Sequence, residues 1–66
     1  MPRYFFNLHF DDHVARDPIG VEVPNLTEAV AEAEKARTEI MHEDELDRLW
    51  LEIVDEEGRT LATVGR

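Results

Sequence analysis

Sixty-six residues with seven Lys and Arg against sixteen Asp and Glu leave a net charge of −9. That balance argues against electrostatic capture of nucleic acid or of an anionic membrane surface, because both need a basic patch. One domain spanning residues 1–66 buries only ~60% of the surface its unfolded chain exposes. With no Cys in the chain, neither a disulfide framework nor a thiolate zinc site can add stability, so a homodimer is the expected further source.

Arg3 to Phe10 reads R-Y-F-F-N-L-H-F, with Tyr4, Phe6, Leu8 and Phe10 at period two. This predicts a half-buried strand, with Phe5 as an apolar residue on the outer face. The N-terminus, Met1 to Phe10, has only one Arg and is alternating, so it does not read as a secretory signal. No apolar run approaches the ~20 residues that span a bilayer, and a cytoplasmic protein without membrane contact is expected. Asp11 to Gly20, D-D-H-V-A-R-D-P-I-G, is rich in turn formers and predicts a loop. Val21 to Val23 predicts a short edge strand closed by Pro24.

Asn25 to Met41 predicts the helix. Asn25 and Glu28 form a variant capping box, and Leu26, Ala29, Val30, Ala33, Ala36, Ile40 and Met41 make one apolar stripe. Glu28, Glu32, Lys35 and Glu39 run along the wet side. The carboxylates Glu43, Asp44, Glu45 and Asp47 oppose the negative pole of a helix C-terminus, so the helix is expected to stop near His42, with a continuation to Leu46 as the alternative. Leu49 to Asp55 predicts a strand with Leu49, Leu51 and Ile53 inward. Asp55-Glu56-Glu57-Gly58-Arg59 predicts a hairpin that pairs Asp55 with Arg59, which sets Ile53 opposite Leu61 and Leu51 opposite Thr63. The fold class is α+β, in the order β-β-α-β-β: one antiparallel sheet with a single helix packed on one face.

The opening M-P-R-Y-F-F, the segment G-V-E-V-P-N-L at Gly20 to Leu26, and the closing D-E-E-G-R-T-L-A-T-V at Asp55 to Val64 occur in this order over nearly the whole chain. In these motifs the sequence resembles a family of short bacterial proteins known only as a domain of unknown function. It departs from the family pattern in the Asp11 to Gly20 loop and in the acidic run from Glu43 to Asp47. The resemblance implies a fold and supplies no catalytic residues.

The inventory for chemistry is thin. There is no Ser or Cys nucleophile, and the three glycines stand apart, so no phosphate-cradling loop exists. His9, Asp11, Asp12, His13 and Asp17 invite a metal reading, but their spacing matches no dedicated site, and turn propensity explains the aspartates as well. His42-Glu43-Asp44-Glu45 reads as a helix end followed by a hydrated acidic loop. Arg37 falls on the apolar stripe of the helix, where an Arg usually snorkels to solvent or finds a carboxylate. No catalytic, cofactor-binding or metal residues are expected, and an enzyme is not.

The informative feature is the sheet face away from the helix. The predicted register places Phe5, Trp50, Val54 and Val64 there, an apolar patch of the kind that marks an interaction surface. The expected function is an interaction module that self-associates through a sheet face or edge, with a further, unidentified protein partner left open. The alternative is an acidic mimic of nucleic acid, or an inhibitor of a basic protein, acting through the Glu39 to Glu57 surface.

Overall fold

The period-two run at the N-terminus forms the central strand of the sheet in the computed structural model, which describes residues 1–44 and 48–66. The elements are β1 (Arg3–Phe10), β2 (His13–Ala15), β3 (Val21–Glu22), α1 (Leu26–Asp44), β4 (Trp50–Val54) and β5 (Thr60–Val64). All pairings are antiparallel in the order β2-β1-β4-β5, with β3 pairing β1 beyond the end of β2. The architecture is therefore α+β, one sheet of five strands and one helix among the described residues. No helix there is long and apolar enough to cross a membrane.

Two stretches differ from expectation in their secondary structure. The segment expected to be a loop holds β2, which returns on β1 with Phe10 opposite His13. Asp11 makes this tight return by taking φ 52°, a left-handed conformation that Asp tolerates better than most side chains. The helix also runs past His42 to Asp44. The charge penalty that argued for an earlier stop is a fraction of a kcal/mol at an exposed, screened end, too little to end a helix whose last turns carry the packed Ile40 and Met41. The rest of the acidic connection, residues 45–47, lies outside the described residues. At the other end Asn25 Oδ1 accepts from Glu28 N–H at 2.9 Å, closing the cap as its spacing implied.

Tyr4, Phe6, Leu49, Leu51, Ile53 and Val64 are buried together with Ala29 and Ala33 of the helix. Both alanines and Ile53 are fully buried. The alanines bring the helix backbone close to β4 and β5, the strands it covers.

The second hairpin begins as predicted. Asp55 N–H donates to Arg59 O at 3.0 Å, Gly58 N–H returns to Asp55 O at 3.1 Å, and Gly58 has φ 86°. Val54 then pairs Thr60, but Ile53 pairs Ala62 and Leu51 pairs Val64, leaving Leu61 as the extra residue of a bulge. The predicted register would have put the Thr63 hydroxyl against Leu51 beneath the helix, where an unpaired polar group is costly. The bulge puts Val64 there instead, at 7% exposure, and leaves Leu61 at 41%. Val64 is thus a core residue and not part of the outer face with Phe5, Trp50 and Val54.

Candidate functional site

Strand periodicity places Phe5, Asn7 and His9 of β1 beside Val54, Glu52 and Trp50 of β4 on the face away from the helix. Phe5 and Trp50 are half-buried, whereas Val54 is 8% exposed. This face is less apolar than its sequence suggested, because a polar network occupies its centre. Glu52 accepts from the Thr60 hydroxyl and meets His9 Nε2 at 3.1 Å, with Asn7 opposite it on β1. The Thr60 and His9 contacts hold the Glu52 carboxyl below its usual range against the opposing effect of burial, and Asn7 adds to them.

His9 stacks on Trp50 with ring centroids 3.8 Å apart and planes 10° from parallel. The Arg66 guanidinium carbon stands 4.5 Å from the centroid of the same indole, within cation–π range. Trp50 is therefore engaged within the chain on this face.

The residues that suggested a metal site are dispersed by the same periodicity. His9 faces Glu52 and Trp50, whereas His13 lies opposite Phe10, with ring centroids 5.7 Å apart, on the helix side of the sheet. Asp11 and Asp12 form the exposed turn. Among the described residues, no three His, Asp or Glu side chains converge as metal ligands.

Asp17 has a structural role that its sequence position did not reveal. The N–H of Phe6 faces the gap between β2 and β3, and Asp17 fills that gap. Its carboxylate accepts from Phe6 N–H at 3.1 Å, Ile19 N–H at 3.0 Å and Gly20 N–H at 2.9 Å. Burial pushes this carboxyl up, but the Gly20, Phe6 and Ile19 N–H groups and the Arg3 charge outweigh it and hold it below the usual range. Asp17 N–H in turn donates to Asn7 Oδ1 at 3.1 Å. The one available signal was D-P-I-G, an Asp two residues before an N–H that it can cap.

Arg37 also finds a partner other than those expected. Its Nε donates to Leu49 O at 2.6 Å, tying the helix to the start of β4. The guanidinium lies against Gly65, where an added Cβ would come within 2.0 Å of Nε.

The two sheet edges are unlike. The β2–β3 side is interrupted by the Arg16 to Gly20 segment, whose Asp17 takes up the β1 N–H left between the two short strands, and Arg3 adds a bond to Ile19 O at 2.7 Å and an ion pair with Glu22. Among the described residues, the β5 edge carries no further strand. Its five residues, T-L-A-T-V, include no charge, no Pro and no Gly.

Residues 3–65 match the family model described as Domain of unknown function (DUF6894). No curated protein and no solved structure matches the chain.

Proposed function

The chain belongs to that family, whose description assigns no activity, and we propose that it is a non-catalytic interaction module that self-associates by pairing its β5 edge with β5 of a second copy. The observation that carries this reading is the contrast between the two edges. Natural sheets guard their edges with charges, prolines, bulges or covering loops, and the β2–β3 side uses Asp17, Arg3 and Pro18 in this way. Among the described residues, the β5 side shows the bulge at Leu61 and none of the other devices.

Antiparallel pairing about a two-fold axis makes both copies use the same strand. Centred on Ala62, it sets Leu61 opposite Thr63 of the second copy and joins the two sheets. Phe5, Trp50 and Val54 then lie on one continuous outer face.

Sedimentation and light scattering over a concentration series test this. Wild type is expected to dimerise, and Leu61→Lys with Thr63→Lys to be monomeric with an unchanged far-UV spectrum, because lysines then confront each other across the pair. Both positions are exposed, so the fold tolerates the change. A wild type that stays monomeric at every concentration refutes the reading. So does a dimer abolished by Trp50→Glu but not by the edge lysines, which would place the contact on the sheet face.

A further inference from the structure

Helix α1 covers β4 and β5 and leaves the β1–β2 half of the same sheet face partly open. Between the helix and β2 runs a groove of about 290 Å³, lined by Leu8, Ala15, Ala36 and Ile40 over Phe6 and Leu51, and also by Arg16 and Asp17 beyond β2. The Asp17 carboxylate is taken up by backbone N–H groups, so among the described residues Arg16 is the one cation of the lining, and it stands across the groove from the helical wall. Leu8, Ala36 and Ile40 are half-buried, and Ala15 is exposed. The helical wall of this groove has a distinctive border. Glu32, Glu39 and Glu43 stand four residues before, three after and seven after Ala36, so they rise along the same side of the helix. All three are exposed, and none belongs to an ion pair recorded among the described residues.

We propose that this groove docks a basic amphipathic segment of a partner protein. Its apolar side chains would enter between Ile40 and Ala15, and its Lys or Arg residues would meet Glu32, Glu39 and Glu43. Charge complementarity selects this occupant. An acidic segment would meet repulsion from the same glutamates. The groove borders β2, at the opposite side of the sheet from β5, so it stays open whether or not the β5 edges pair. The recognition mode is that of an apolar groove reading spaced anchors on an amphipathic helix, with charges at the rim setting partner choice and encounter rate.

The test uses the full chain, isotope-labelled, titrated with a synthetic amphipathic helical peptide made only of Leu and Lys. Methyl resonances of Leu8, Ala15, Ala36 and Ile40 are expected to shift. Glu32→Lys with Glu39→Lys should weaken binding about tenfold, because two attractive rim pairs become repulsive. Ala15→Glu separates docking from mere charge attraction. It adds a negative charge, which strengthens non-specific capture of a cationic peptide, but it places a carboxylate in the apolar channel, so the affinity of a docked peptide falls. Four results overturn the proposal: no binding, shifts spread over the whole surface, unchanged or tighter binding by Ala15→Glu, or equal binding of the matching Leu/Glu peptide. Groove resonances that move with protein concentration alone would assign the site to a second copy, and they overturn it too.

Discussion

Gly65→Ala perturbs the point where the end of β5, the helix and the start of β4 meet. Gly65 has φ 84°, which costs an L-residue roughly 1–2 kcal/mol. The new Cβ would also lie 2.0 Å from Arg37 Nε and 2.6 Å from both Cδ and Cζ. The guanidinium must therefore move, and the 2.6 Å bond from Nε to Leu49 O is lost with it. A hydrogen bond to a charged group is worth ~1.5–3 kcal/mol, so the total cost is about 3–4 kcal/mol, a large share of the stability of a small domain. Gly58 supplies an internal control. It has nearly the same φ, 86°, but nothing lies within 4 Å of its added Cβ, so Gly58→Ala should cost only the backbone part, ~1–2 kcal/mol. Urea unfolding followed by circular dichroism measures both, and a double-mutant cycle with Arg37→Ala isolates the contact. In the Arg37→Ala background, which removes the δ and ε atoms that the new Cβ would meet, Gly65→Ala should fall to the Gly58→Ala value, giving a coupling of about 1.5 kcal/mol or more. Additive effects, or equal costs at the two glycines in the wild-type background, would show that the Arg37 contact stabilises nothing.

Two further outcomes follow from the carboxylates. Asp17→Ala removes three hydrogen bonds at once and leaves Phe6 N–H without a partner in the gap between β2 and β3; it should cost about 2–3 kcal/mol and speed amide exchange at Phe6, Ile19 and Gly20, and unchanged exchange there would refute the bridging role. Asp17, Glu52 and Asp55 all titrate below their ordinary values of 3.8, 4.5 and 3.8 in the folded chain. For Glu52 the Thr60 hydroxyl and His9 are the main cause, and for Asp55 the Arg59 N–H is. Their contribution is fully present above those ordinary values and is lost as the pH falls through the lower folded ones. The urea midpoint should therefore drop between about pH 5 and pH 2, with a shallower drop in Glu52→Gln. A midpoint flat or rising over that range would contradict it.

The strands and helix were legible because their determinants are local. Tyr4, Phe6, Leu8 and Phe10 announce a strand by period two, the Ala29–Ala33 stripe announces a helix, and the asparagine before it announces the cap. Gly58 marked the hairpin turn for the same reason. The short β2 strand was not legible, because D-D-H-V-A-R carries turn formers and only pairing with β1 makes His13 to Ala15 extended. Helix length past His42 was decided by packing at Ile40 and Met41 against a weak electrostatic preference.

The register of β5 shows most clearly where local reading stops. Turn chemistry sets the first pair, Val54 with Thr60, but whether Leu61 and Thr63 or Ala62 and Val64 enter the core depends on what lies above the sheet. The helix lies there, and burying a valine rather than a threonine hydroxyl beneath it favours the bulge. That one inserted residue moved Val64 from the expected interaction face into the core. Asp17 and Arg37 belong to the same category. Their side chains serve backbone groups, ten or more residues away in the cases of Phe6 and Leu49, and no spacing in the sequence records which N–H or C=O the assembled sheet will leave unpaired. Local pattern determines which segments fold and which faces are apolar, whereas the tertiary structure alone decides which edge is closed, which is open, and which half of a sheet face one helix leaves uncovered.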